Sequence, residues 1–285
     1  MNTRTEGRLS LDFSRTGKAG QTQMTVRDAQ PPLKVIRAFE TESGAALVHL
    51  HNISGGLLGG DHLEMQVTVG AAAHTQLTTT SATRVYKRRA GLANSRQSTR
   101  ISVAENGRLE YLPDALIPYA EAAYEQHTQI DLADGASLVW WETVAPGREA
   151  HGELFAYDLV VLNTEITAND RPIALETARL EPKRRPLDWT ARLGRYRYFS
   201  TMYVCRVGEP AARWTALETE LSDLASAYSS REESVWGVGT LAAHGLVIRG
   251  LSTSGLSIPQ RLFGFWDAAQ RALFDEPAVP PRKIY

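Results

Sequence analysis

The chain has a single cysteine, Cys205. One thiol excludes an intramolecular disulfide and a thiolate metal cage, and it fits a reducing compartment. No stretch approaches the ~18 uninterrupted apolar residues of a membrane-spanning helix. The opening MNTRTEGRLS also lacks the apolar core of a signal peptide, so a soluble, cytoplasmic protein is expected. Neither charge is in excess: 31 Lys and Arg stand against 32 Asp and Glu, which leaves no global field to attract nucleic acid or anionic membrane. A near-neutral surface also lacks some of the repulsion that keeps proteins apart, which favours a life in complexes.

Catalytic and nucleotide motifs are missing as well. The glycine-rich run HNISGGLLGGD, residues 51–61, has no Lys-Ser or Lys-Thr pair after its last glycine, and the following HLEMQVTV reads as a strand. A P-loop needs that pair and a helix, and Asp61 would repel phosphate. The GxGxxG pattern is absent too. Cys205 lies in the strand-like FSTMYVCRV and reads as a buried residue rather than a reactive thiolate. STSGLS is not a GxSxG elbow, and Glu232 and Glu233 sit side by side in a polar connection.

What the chain does have is period-two patterning. FETESGAALVHL, ISVAENGRLEYL and IDLADGASLVWW each place alternating apolar residues on both sides of a glycine turn, and they are expected to be hairpins. MTVRD, LKVIRAF, LEMQVTV, HTQLTTT, YDLVVLNTEIT, ALETARLE, FSTMYVCRV, VWGVGTL and GLVIRGLS add further strands, without helices between them and without a fixed repeat length. Two helices are expected near the C-terminus, over 211–229 and 258–274. The first carries an apolar stripe of Trp214, Leu217, Leu221, Leu224 and Tyr228; the second has Ser257 to cap it, Pro259 in its first turn, and Leu262, Trp266, Ala269 and Leu273 on one side. The expectation is one mainly β domain over 1–285 with a small helical portion. EPKRRPLDW reads as a basic loop and EPAVPPRKIY as an exposed extended arm.

Several groups could bind something. His49 and His51 share a strand face, and Asp61, His62 and Glu64 follow the glycine loop, a donor set suited to nickel or zinc. No HExxH or CxxC spacing supports a stable metal site. Two glycine pairs within six residues, closed by an acid, exceed what a turn needs, which points to close backbone approach or a solvent channel beside a carboxylate. Arg84, Lys87, Arg88 and Arg89, and Lys183, Arg184 and Arg185, are either docking patches or solvated faces. In LPDALIPYAEAAY, Pro113 and Pro118 bracket Leu116 and Ile117 on an irregular segment that includes Tyr119.

The succession SGGLLGGD, TTTSATRVYK, LEYLPDALIPYAEAAY, PGREAHGELF and PRKIY resembles the UreD (UreH) urease accessory family, in that family's order along nearly the whole chain. The matching positions are Gly55, Gly56, Gly60 and Asp61; Thr79, Arg84 and Tyr86; Tyr111, Pro113, Asp114, Ile117 and Pro118; and Gly147, Arg148, Gly152 and Glu153. Many members carry His-Pro-Pro before the first glycine pair, where this chain has Asn52, Ile53 and Ser54.

The resemblance implies a β-helix-like wound body with two helices and no enzymatic activity. It implies work with UreF and the GTPase UreG on the urease structural subunits to deliver nickel, with room for a homo-oligomer within the accessory complex. It implies no intrinsic cofactor: nickel is cargo in transit, and GTP belongs to UreG. Asp61, His62, Glu64, His49, His51 and Glu153 are then candidates for transient metal contact. Two other readings stand beside it: an interaction platform that nickel never touches, and a hydrolase on a β scaffold.

Overall fold

The computed structural model describes residues 5–16 and 20–281. The N-terminal part forms β1 (Glu6–Thr16), β2 (Gln21–Gln30), β3 (Leu33–Lys34), β4 (Ala38–Glu40), β5 (Ala46–Asn52), β6 (His62–Val69), β7 (His74–Thr79) and β8 (Thr83–Val85). Next come β9 (Ser95–Val103), β10 (Arg108–Leu112), β11 (Leu116–Pro118), β12 (Ala123–Leu132), β13 (Ser137–Val144), β14 (Leu159–Ala168), β15 (Arg171–Leu180) and β16 (Tyr198–Arg206). The C-terminal part holds α1 (Ala211–Tyr228), β17 (Ser234–Thr240), β18 (Gly245–Ser252) and α2 (Ile258–Phe274). The mainly β reading and both helices are therefore as expected from sequence. β1 was not anticipated, although Leu9, Leu11 and Phe13 alternate along it and are all buried.

The strands form two sheets, ordered β15-β14-β12-β9-β6-β1-β2 and β17-β18-β16-β13-β10-β7-β5-β3. From β5 to β14 the chain crosses from one sheet to the other after each long strand. β6, β9, β12 and β14 pair in parallel in one sheet, and β5, β7, β10 and β13 in the other. Parallel pairing in register lines up like residues in columns. In one sheet Val67, Ile101, Ile130 and Ile166 align; in the other Val48, Leu77, Tyr111, Trp140 and Tyr203 do. These columns meet between the sheets as one buried core. Trp140 stacks on Tyr203 with ring centroids 5.4 Å apart.

The crossings correct two of the three expected hairpins. Residues 39–50 do form one, with β4 antiparallel to β5. The turns at Asn106-Gly107 and Asp134-Gly135 instead carry the chain between sheets, because each flanking strand finds a parallel neighbour rather than its sequence neighbour. The turns themselves stack: Ala72 N–H donates to Glu105 O at 3.0 Å and Asn106 N–H to Asp134 O at 2.9 Å. Ala72, Asn106 and Gly135 all have positive φ, at 54°, 55° and 67°. A Cβ on Gly135 would meet the end of the Asn106 side chain, which would have to turn aside, so glycine is the residue that fits this corner without adjustment.

Both helices cover the outer face of the larger sheet. Trp214, Leu217 and Leu221 of α1 and Leu262, Phe265, Trp266 and Ala269 of α2 pack on Met202, Val204, Leu246 and Ile248. Ser257 precedes α2 but its side chain does not cap it, since its backbone (φ −87°, ψ −14°) is helical rather than extended. Gln270 donates to the buried Glu110 at 2.6 Å, tying α2 to β10. Burial alone would raise the Glu110 pKa; bonds and charge from His74, Arg108 and Gln76 outweigh it and hold the carboxyl below its ordinary range. The C-terminal segment is not helical, but its described part is no free arm. Ala278 is buried, its N–H donates to Asp267 at 2.8 Å, and Gln76 donates to Val279 O at 3.0 Å. The last four positions of PRKIY lie outside the described residues.

Ile130 is fully buried in the middle of its column. Ile130→Ala is expected to lower unfolding free energy by about 2–5 kcal/mol, read from urea denaturation midpoints, without changing the β-rich circular dichroism spectrum.

Candidate functional site

The glycine-rich run connects β5 to β6 across the end of the two-sheet body. Leu57 plugs it in place: the side chain is buried, its N–H donates to Arg84 O at 2.8 Å, and its carbonyl accepts from Tyr86 N–H at 2.8 Å. Gly55 and Gly60 have φ of 78° and 90°. Gly56 is needed for a different reason, since a Cβ would lie 2.5 Å from Arg84 O and 2.7 Å from the Tyr86 ring. Asp61 is buried and accepts the Leu58 N–H at 2.8 Å and the Thr5 N–H at 3.2 Å. Its two oxygens thus fasten the loop to itself and to the start of β1.

Beneath this loop a cavity of about 100 Å³ enters the space between the sheets. It is far smaller than the ~300–1,000 Å³ of organic-ligand pockets but has room for several waters or a hydrated path for a small ion. Gly55, Gly56, Thr80 and Arg84 border it at the loop, and Gln126, Thr128 and Glu142 line it deeper in. A smaller cavity shares Glu142 and adds Glu176 and Tyr203. Glu142 and Leu162 line both, making a seam in which polar groups stand among apolar ones.

Glu142 is the carboxylate inside this seam. Burial pushes its pKa up to about 7; a hydrogen bond from Gln126 opposes the rise and the charge of Glu176 adds to it. Tyr124 O–H donates in turn to Gln126 at 2.9 Å. On the far side Glu176 accepts from Tyr203 O–H at 2.7 Å and pairs with Arg249 at 2.7 Å. Burial, with the bond to Glu176, raises the Tyr203 pKa, so the phenol stays a donor.

The structure does not gather the six anticipated metal contacts at one point, although His62 and Glu64 approach to 3.7 Å. His51 borders the cavity. Burial, then the positive charges of His49 and Lys34, lower its pKa and favour the neutral ring. His49 is buried with its ring edge-on to Phe39, centroids 5.8 Å apart. His62 and Glu64 lie on the side of β6 opposite the buried Leu63 and Met65, with Glu64 3.5 Å from Arg8. Glu153 accepts from Arg148 at 2.9 Å and from Ala120 N–H at 3.1 Å. The Arg148 bond is the main reason its pKa is lowered. Among the described residues no three His, Cys, Asp or Glu side chains gather as a metal-holding group.

The motif blocks do converge on the mouth. Tyr86 O–H donates to Gly55 O at 3.2 Å, and its ring meets Tyr119 edge-on at 5.1 Å. Arg148 sits 4.3 Å over the Tyr119 ring and holds Glu153. Thr79 O–H donates to Asp114 at 3.1 Å, and both border the cavity with Tyr111 and Pro113. Ile117 and Pro118 lie in β11, beside β8. A Cβ on Gly147 would approach Glu153 O to 2.7 Å, and Gly152 ends the 3-10 turn Glu149–His151 in the left-handed region. The basic clusters are partly paired: Lys87 with Glu121, Arg88 and Lys183 with Asp158, and Arg184 with Glu181.

Gln126, Thr128, Glu142 and Glu176 were not picked out from sequence. The available signal was polar residues on strands otherwise read as apolar, above all Glu142 directly after Trp140 and Trp141. Cys205 is buried as expected, and burial raises its pKa to about 12. No helix among the described residues is long and apolar enough to cross a membrane.

Comparison with known proteins converges on one family. A profile described as "UreD urease accessory protein" matches residues 5–284. A urease accessory protein UreD of Herpetosiphon aurantiacus is 46% identical over 282 residues, covering 99% of this chain and 97% of the relative. The protein of that name from Corynebacterium glutamicum is 36% identical, covering 90% and 88%. That from Cenarchaeum symbiosum is 34% identical, covering 71% of each chain.

Gly56→Ala is expected to destabilise the loop by about 1–3 kcal/mol, seen as faster hydrogen exchange over residues 52–61. Glu142 should leave a pH signature. Its folded pKa, about 7, lies above the ordinary 4.5, so the folded state binds the proton more tightly. Its destabilising effect is absent below pH 4.5, grows as pH rises to 7, and is complete above that. Glu142→Gln should therefore raise the urea midpoint at pH 8 and leave it nearly unchanged at pH 4.5.

Proposed function

The chain belongs to the UreD urease accessory protein family, and from that premise we propose that it gives nickel an enclosed path during urease maturation, as a scaffold acting with UreF and the GTPase UreG on apo-urease. Its relatives are named urease accessory proteins, and in this reading the chain acts as a non-catalytic accessory. The observation that carries the transfer reading is the seam itself: a cavity under the glycine loop whose polar groups include the internal carboxylate Glu142. A path for an ion needs ligands that hold weakly and release. Amide, hydroxyl and single carboxylate groups spaced along the seam supply that, and oxygen donors exchange water around a divalent ion without caging it.

Within this reading the anticipated residues divide. Of the anticipated contacts His51 borders the cavity and is the candidate for transient contact, and Asp114, a position of the family motif, borders it as well. Asp61 and Glu153 serve by holding the mouth, since their oxygens accept hydrogen bonds from the chain's own N–H donors. His49, His62 and Glu64 lie outside the cavity lining and are the weaker candidates. That occupancy of Asp61 and Glu153 also favours the second reading, a platform that organises partners while nickel travels elsewhere.

Reconstitution with apo-urease, UreF, UreG and limiting nickel distinguishes the two. Glu142→Leu should slow activation about tenfold, equivalent to roughly 1.4 kcal/mol of barrier, while pull-down with the partners stays intact. Wild-type rates with Glu142→Leu would remove the path and leave the platform. Equal activation with and without this chain would remove both.

A further inference from the structure

The two basic clusters of the sequence are far apart along the chain but share one counter-ion. Asp158 holds Lys183 at 2.6 Å and Arg88 at 3.6 Å, so Arg84, Lys87, Arg88 and Arg89 meet Lys183, Arg184 and Arg185 as one surface. Lys87 pairs with Glu121 at 2.8 Å and Arg184 with Glu181 at 3.4 Å. Seven cations therefore stand against three acids, and Arg84, Arg89 and Arg185 are exposed and form no ion pair among the described residues. Along the smaller sheet, by contrast, Arg8 is matched by Asp28 and Glu64, Arg27 by Asp12, and Arg96 by Glu125. In a chain of formal charge −1 the basic surface is a local surplus that its own acids leave unneutralised.

This surface adjoins the glycine loop. Arg88 packs so closely on the loop that a Cβ on Gly59 would lie 3.0 Å from its Cγ, and Arg84 borders the cavity. Two apolar side chains of the loop face solvent beside these cations: Ile53 is 61% exposed and Leu58 53%. Apolar groups flanked by arginine are the make-up of a protein–protein interface, in which the charges steer the encounter and the apolar contacts hold it. A phosphate backbone is met by cations alone and would leave Ile53 and Leu58 in water.

We propose that this face is a docking surface for an acidic partner protein, whose carboxylates meet Arg84, Arg89 and Arg185 and whose apolar side chains cover Ile53 and Leu58. The docking stands on charge and exposure and does not depend on whether nickel uses the cavity.

The chain is immobilised, and UreF, UreG and apo-urease are passed over it separately, without nickel, at about 0.05 M and about 0.5 M salt. Arg89→Glu/Arg185→Glu should slow association of one of the three about tenfold at low salt, with a smaller difference at high salt. Arg100→Glu/Arg171→Glu, an equal change of charge at exposed positions of the smaller sheet, should keep the wild-type rate. Leu58→Asp should speed dissociation of the same partner. Equal slowing by both charge reversals overturns the proposal, as does slowing by neither. So does a patch reversal that leaves all three proteins bound but abolishes binding of duplex DNA, or self-association in sedimentation, since the surface would then belong to nucleic acid or to a second copy. Because binding is read without nickel, this outcome and that of Glu142→Leu on activation are separate.

Discussion

In-register parallel pairing between successive windings is the constraint on which the molecule depends. A strand shows alternate residues to opposite faces, so a slip by one residue would turn a whole core row outward. The columns from Val67 to Ile166 and from Val48 to Tyr203 leave no such freedom. The stacked corner turns reinforce the register, because each passes a backbone hydrogen bond to the next. The helices cover the remaining apolar face, packing on Leu112 and Val139 of the winding as well as on the strands beyond it.

The cavity follows from the same rule. Along one sheet the apolar row of Leu11, Val67, Ile101 and Ile130 gives way to Leu9, Met65, Thr99 and Thr128, and then to Leu63, Gln97 and Gln126. Where polar rows face Glu142 across the gap, the sheets do not close on a dry core, and a space with hydrogen-bonding groups in its lining remains. The glycine loop then works as the rim of that space. Its backbone lies too close to Arg84 and Tyr86 for side chains, and the buried Asp61 keeps it there.

Strand content and both helices were legible because short-period patterns survive in any tertiary setting. The pairing was not: Asn106-Gly107 and Asp134-Gly135 look like hairpin turns, and only the choice of neighbour makes them crossings. The winding left no fixed sequence period, since Ala72, Asn106 and Gly135 occupy equivalent corners at unequal spacing. At the site, the glycine loop and the blocks around Tyr86, Tyr119 and Arg148 stood out as residue types, yet their convergence needed coordinates. Glu142 was hidden because a single acid in a strand reads as solvent-facing, and only the opposed sheet puts it inside.

The parallel series is closed at its ends by reversed strands. β2 runs antiparallel to β1, β15 to β14, β16 to β13, and β3 and β4 to β5. An open parallel winding would offer each end as a template for another copy, and such stacking propagates without limit. A strand of opposite sense breaks that translational match, and the outermost β2 carries Arg27 and Asp28 on an exposed surface. The parallel series therefore has a set length: reversed strands end it on both sides, and they leave no translational match for a further winding.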